Sequence, residues 1–227
     1  MKWFSHLLDI IYPRPCEACG QTLLSNEKIL CVHCLFDLPK SDSIYYKDNN
    51  LSAKFFGKVE IKNTFTYLKF TKKGKVQHLL HQLKYQNKPE VGVLLGKLFG
   101  NELKSLSNEN MFEILIPVPL HTSKKIQRGY NQAACIAEGL SMVLNVPYSD
   151  ELVIRNTKTS TQTQKSRIER FLNVQHIFEV KDVDKIIGKK IGIVDDVLTT
   201  GATIESLATT LLEIGALDVS VITLAAA

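Results

Sequence analysis

A chain of 227 residues, 44% hydrophobic and 22% charged, is long enough for one or two domains with a real core and has a globular rather than a fibrous or disordered composition. Its 28 basic and 23 acidic residues leave a net charge of +5, a mild excess that favours phosphorylated partners without demonstrating them. No apolar run approaches the roughly 20 residues of a membrane-spanning helix, so no membrane span is expected, and a cytoplasmic chain with reduced cysteines follows.

The chain opens on Met1-Lys2-Trp3-Phe4-Ser5-His6-Leu7-Leu8-Asp9-Ile10-Ile11. This stretch lacks the long apolar core and small-residue cleavage site of a signal peptide. It predicts a short amphipathic helix packed on the protein itself and ended by Pro13-Arg14-Pro15. Cys16-Glu17-Ala18-Cys19 and Cys31-Val32-His33-Cys34 come next. Each C-x-x-C knuckle bends the chain enough to present two thiolates to one metal. The pair therefore predicts a tetrahedral zinc held by Cys16, Cys19, Cys31 and Cys34, structural because all four ligands are protein. Two disulfides are the competing account, which a reducing compartment disfavours. His33 reads as a surface residue and Cys135 as a small buried hydrophobe.

Residues 40–65 read as a polar connector holding one short strand. Phe65 to Phe70 alternates and predicts a strand, and Thr71-Lys72-Lys73-Gly74-Lys75 reads as a basic, solvated hairpin tip. Val76, Leu79, Leu80 and Leu83 mark a helix running to Tyr85, with His78 and His81 toward solvent. A second helix is expected from Val91 to Leu106, burying Leu94, Leu95, Leu98 and Phe99.

Ile114 to Pro119 is the next buried strand, with Pro117 and Pro119 at its exit. A basic loop with Lys124, Lys125 and Arg128 follows, then Gly129, then a helix from Asn131 or Gln132 through Ala133, Ile136, Ala137 and Leu140. A basic loop at a strand's carboxyl end suits a pyrophosphate, with arginine's planar fork well matched to it. Lys124, Arg128 and Gly129 are the candidates, and a solvated basic loop is the alternative. Leu152 to Arg155 predicts a short strand. Asn156 to Ser166 has almost no apolar residue, which predicts a mobile active-site lid. Ile177-Phe178 resumes extended structure, and Lys185 to Lys190 is a polar turn.

The chain is organised around the stretch that comes next. Ile191-Gly192-Ile193-Val194 reads as a buried parallel strand with Asp195 and Asp196 at its C-terminal end. The loop Thr199-Thr200-Gly201-Ala202-Thr203 opens a helix whose apolar face is Ile204, Leu207, Ala208, Leu211 and Leu212, stopped at Gly215. Asp218 to Ala225 adds a last parallel strand. Ligands of open α/β sheets bind beyond the carboxyl ends of the strands. Unpaired N–H groups at a helix start, with three hydroxyls beside them, suit a phosphate. The two carboxylates suit sugar hydroxyls and a divalent cation. A ribose 5-phosphate carrying a further phosphate group meets all three needs. The Gly-Lys-Ser/Thr of a P-loop is absent.

The stretch from Asp195 to Thr203 is similar to the phosphoribosyl-pyrophosphate (PRPP) loop of type I phosphoribosyltransferases. Joined to Cys16–Cys34, Leu83-Lys84-Tyr85, Ile116-Pro117-Val118-Pro119, Arg128-Gly129-Tyr130-Asn131-Gln132, Thr159-x-x-Gln162 and Arg170-x-x-Asn173-Val174, it resembles the ComF family of competence-associated proteins. The resemblance implies an α/β type I phosphoribosyltransferase fold, Rossmann-like with a mostly parallel sheet, at 46–227, behind a zinc module at 1–45. It implies that Asp195, Asp196, Thr199, Thr200, Gly201, Ala202 and Thr203 bind PRPP with Mg2+, and that Thr159 and Gln162 belong to the lid. It further implies a role in natural transformation, with single-stranded DNA and the DNA-uptake machinery as partners. Two functions are open: a phosphoribosyltransferase of unidentified acceptor, or a non-catalytic PRPP sensor or scaffold that binds DNA or protein.

Overall fold

A computed structural model describes residues 13–44, 51–106, 111–155 and 177–227. The expected N-terminal helix and the lid residues Thr159 and Gln162 lie outside them. The central sheet is built from β1 (Thr64–Lys69), β2 (Ile114–Pro117), β5 (Lys190–Leu198) and β6 (Asp218–Ala226), in the order β1-β6-β5-β2 and parallel throughout. Strands buried on both faces need apolar runs, and β5 and β6 supply them with Ile191, Ile193, Val194, Val221, Ile222 and Leu224, all fully buried.

The strand at Phe65 forms, but not as a half-exposed one: Thr64 to Leu68 are all buried. The alternation misleads because Thr66 lies inside, where its hydroxyl and that of Thr223 on β6 hydrogen-bond at 2.9 Å. Nor is the basic turn after it a hairpin tip. It leads through Gly74 directly into α2 (Lys75–Tyr85), as a parallel sheet requires of its crossovers. Val76, Leu79, Leu80 and Leu83 are buried as their spacing demands, while His78 and His81 are exposed.

The helix α3 (Pro89–Leu106) buries Leu95 and Phe99 as its spacing predicts, but its most buried face is centred on glycines rather than on Leu94 and Leu98. Gly92, Gly96 and Gly100 are buried beside Val91, Leu95, Phe99 and Leu103, whereas Leu94 and Leu98 are only partly covered. The reason is α5 (Gln132–Leu144), which approaches closely enough that a Cβ on Gly96 would stand 2.2 Å from the Ile136 carbonyl oxygen. A Cβ on Gly139 would stand 2.2 Å from that of Val93.

The polar connector holds two single 3-10 turns, Asp42–Ile44 and Ser52–Lys54, and among its described residues before β1 no strand beyond a bridge of Lys40 to Leu68. That bridge runs antiparallel along the β1 edge, with Ser41 N–H donating to the Tyr67 carbonyl at 2.8 Å and Lys69 N–H to that of Pro39 at 2.8 Å. On the far edge, Tyr148 bridges Leu115 in parallel. A separate antiparallel pair, β3 (Val153–Arg155) with β4 (Phe178–Val180), closes the two ends of the segment between them. The helix α6 (Ala202–Ile214) follows β5 and ends at Gly215, as expected. No helix among the described residues is long and apolar enough to cross a membrane.

Candidate functional site

The four knuckle cysteines converge. A Gly20 N–H bond to the Cys16 carbonyl at 2.8 Å closes the first turn, and α1 (Val32–Phe36) starts at the second, with Cys31 as its N-cap. The four Sγ atoms lie within 4.8 Å of one another, with Cys16, Cys31 and Cys34 buried and Cys19 exposed. Thiolates around one zinc at about 2.3 Å stand about 3.8 Å apart, and Cys19 and Cys31 are 3.8 Å apart. The donor set therefore fits one tetrahedral, thiophilic ion. Burial raises the Cys16 thiol, but the N–H groups of Cys31, Ala18 and Cys19 outweigh it and bring the thiol down to about 7. His33 is exposed and Cys135 buried, each as read from the sequence. Glu17, inside the first knuckle, pairs with Lys88 at 2.9 Å and fastens the module beside the start of α3.

At the other site the strand is longer than the sequence suggests. β5 continues through the acidic pair to Leu198, laddered to β6 by the pairs Asp195–Thr223, Val197–Ala225 and Leu198–Ala226. The acids therefore stand on a rigid strand rather than on a loop. Asp195 Oδ1 accepts the Asp196 N–H at 2.8 Å. Burial, then the charge of Asp196, push the Asp195 carboxyl up to about 7, against the opposing pull of that N–H and of Lys84.

Thr199 and Thr200 are exposed, and Gly201 turns the chain at φ 83° into α6. Thr200 Oγ1 accepts the Ala202 N–H at 3.4 Å, and Thr203 is half-buried in the first turn. The first helical bond runs from Glu205 N–H to the Gly201 carbonyl at 2.8 Å, so the N–H groups before it have no partner within the helix. Beneath this turn lies Phe55, 1% exposed, and Lys54 donates to the carbonyls of Thr199 and Ala227. Neither residue was singled out as functional from the sequence, because they stand in a connector with no period.

The basic segment is a helix rather than a loop. α4 (Thr122–Arg128) begins at His121, whose ring nitrogen accepts the Ser123 N–H at 3.3 Å, and ends at Gly129 with φ 78°. Lys124 is exposed and lies on one face with Arg128, four residues on. Arg128 donates to Gln132 at 2.8 Å and sits 5.4 Å from the centre of the Tyr85 ring. The residues after it are structural ties. Tyr130 donates its hydroxyl to the Leu83 carbonyl; Asn131 caps α5 through the Ala133 N–H at 3.1 Å and donates to the Val118 carbonyl at 3.0 Å.

Parallel pairing brings these parts to one edge. Pro117 on β2 is opposite Val194 on β5, and Val118 N–H donates to the Val194 carbonyl at 2.8 Å, one residue before the acids. At the same edge Lys84, near the end of α2, places its ammonium 2.9 Å from Asp196. Lys84 is the charged group that helix periodicity alone had no reason to single out.

Residues 131–227 match the model of the phosphoribosyl transferase domain family. The chain is 29% identical over 147 residues to competence protein F of Haemophilus influenzae, covering 63% of this chain and 64% of that protein. It is 32% identical over 146 residues to the DNA utilization protein YhgH of Shigella flexneri, covering 63% of each. With competence protein ComFC of Bacillus subtilis it shares 31% identity over 146 residues, 64% of this chain and 57% of that protein. Each alignment spans less than two thirds of the relative's length.

Proposed function

We propose that this chain, a relative of the competence and DNA-utilization proteins that carries a phosphoribosyltransferase domain, binds PRPP as its magnesium complex at the C-terminal edge of β5. The observation that carries this is the succession, on one rigid strand and the turn after it, of Asp195, Asp196 and a hydroxyl-bearing glycine turn that opens α6. In this reading Asp195 and Asp196 accept from the ribose hydroxyls. Thr199, Thr200, Thr203 and the backbone of Gly201 and Ala202 hold the 5-phosphate. Lys124, Arg128 and Gly129 attend the pyrophosphate, and Thr159 and Gln162 keep the lid role that the resemblance implies.

The reaction proposed is phosphoribosyl transfer: the C1–O bond to pyrophosphate breaks, positive charge develops at C1 as in glycoside cleavage, and a nucleophilic atom of the unidentified acceptor forms the new bond to C1 as pyrophosphate leaves. Magnesium brought in with the substrate would supply charge stabilisation to the departing oxygens, beside Asp195 and Asp196. The chain's own residues fix the sugar and neutralise the leaving phosphates. The cysteine cluster is proposed to hold a structural zinc within a module at 1–45, in the cytoplasm where thiols stay reduced. Single-stranded DNA and the uptake machinery are the partners proposed from the family resemblance, and the relatives' names, competence protein and DNA utilization protein, agree with a role in DNA handling.

The test is calorimetry with PRPP and magnesium. Asp195→Asn with Asp196→Asn is expected to weaken binding more than tenfold, about 1.4 kcal/mol, which is within what loss of charged partners supplies. Unchanged affinity in the double variant removes the reading. Pyrophosphate release on mixing with candidate acceptors then separates a transferase from a sensor.

A further inference from the structure

Lys84 and Asp196 form an ion pair in which the two side chains keep 23% and 14% of their exposure. The helix end that carries Lys84 does not hang free. The Tyr130 hydroxyl holds the Leu83 carbonyl, and the guanidinium of Arg128 rests over the ring of Tyr85. Residues 83, 84 and 85 therefore have three different partners. The first and third look to the segment after β2, and the second to the acidic pair of β5.

This placement conflicts with the task assigned to Asp196. A carboxylate that engages an ammonium has fewer lone pairs for sugar hydroxyls. Without the ammonium, two adjacent carboxylates would face each other with their charges unopposed. A lysine suits both states, since its charge is a point on a flexible four-carbon stem that changes partner by rotating. Arg128, held by Gln132 and Tyr85, is less free to do so.

We propose that Lys84 is an exchange residue for the phosphoribosyl ligand. It neutralises Asp196 in the free protein, and on ligand entry its ammonium passes to the C1 pyrophosphate, releasing Asp196 to the ribose hydroxyls. Lys84 then sets the preference for PRPP over ribose 5-phosphate, because only the former offers a second anion to receive the ammonium. This inference rests on the PRPP reading of the site.

The experiment is calorimetry of the full chain, Lys84→Met and Lys84→Arg, each titrated with magnesium PRPP and, separately, with ribose 5-phosphate. Thermal melting checks that each variant folds. Lys84→Met is expected to bind PRPP at least tenfold more weakly, with ribose 5-phosphate unchanged or tighter because Asp196 is already free. Lys84→Arg, which keeps the charge, is expected to recover part of the PRPP affinity. Equal PRPP affinity in Lys84→Met and the parent overturns the exchange while leaving the PRPP site standing. Equal weakening of both ligands also overturns it, by making Lys84 a prop for the edge. A parent protein that binds no PRPP overturns the site reading and the exchange together.

Discussion

Gly201 stands against the ring of Phe55: a Cβ added at Gly201 would lie 3.1 Å from Phe55 Cε1. The connector between the cysteine module and β1 thus forms the floor beneath the proposed phosphate turn. Gly201 has φ 83°, so an alanine there is strained as well as crowded. Gly201→Ala is expected to lower PRPP affinity and the melting temperature together. Phe55→Ala is expected to cost about 3–5 kcal/mol of stability by leaving a cavity under the turn. Urea titration and calorimetry read both. An alanine at 201 that leaves melting and affinity as they were would remove the role given to Phe55.

Asp195 gives a pH signature. Its carboxyl is raised from 3.8 to about 7 by burial and by the charge of Asp196, with Lys84 and the Asp196 N–H opposing. Between those values the folded protein retains a proton that the unfolded chain has already lost. Stability from this group therefore falls as pH rises across that window, and the full penalty stands above pH 7. Asp195→Asn removes the penalty. The variant is expected to be more stable than the parent by more than about 1.4 kcal/mol, the equivalent of one pKa unit, at pH 8, and to match it near pH 4. A stability difference that does not change with pH would contradict the assigned cause.

The cysteine cluster predicts about one zinc per chain in protein purified without chelator. Structural zinc supplies roughly 10 kcal/mol or more to small modules. Chelation or Cys31→Ser is expected to unfold the region around Cys16 to Cys34 first, before the parallel sheet. Hydrogen exchange of the 13–44 amides, with and without chelator, follows this directly. Protein free of zinc, with four reactive thiols and unaltered exchange, would argue against the metal.

The contact of α3 with α5 reverses a common rule. Replacing glycine by alanine inside a helix ordinarily gains about 1 kcal/mol. At Gly96 the new methyl would meet the Ile136 carbonyl at 2.2 Å. Gly96→Ala is therefore expected to lose about 1–3 kcal/mol, read as a lower denaturation midpoint. A stabilised variant would mean that the helices separate easily.

How much of this was legible depended on whether the signal was local. The cysteine knuckles, the strand before Asp195, the glycine turn at 201 and the α6 face at Ile204, Leu207, Ala208 and Leu211 all depend on neighbours within a few residues. Covalent spacing and turn geometry alone select those arrangements, so the sequence by itself determined them. What it left undecided needed contacts between distant segments. Leu94 and Leu98 stand at the margin of the buried face of α3, and a glycine ridge takes its centre, because α5 lies where it does. Thr66 went inside because Thr223 waited across the sheet with a matching hydroxyl. Phe55 and Lys54 came to support the turn at 199–201, the proposed phosphate site, across some 145 residues of chain. Lys84 met Asp196 only because a parallel crossover returns α2 to the edge where β5 ends. Buried polar and charged groups gain most from partners that satisfy them, and when those partners lie far along the chain only the tertiary structure brings them together.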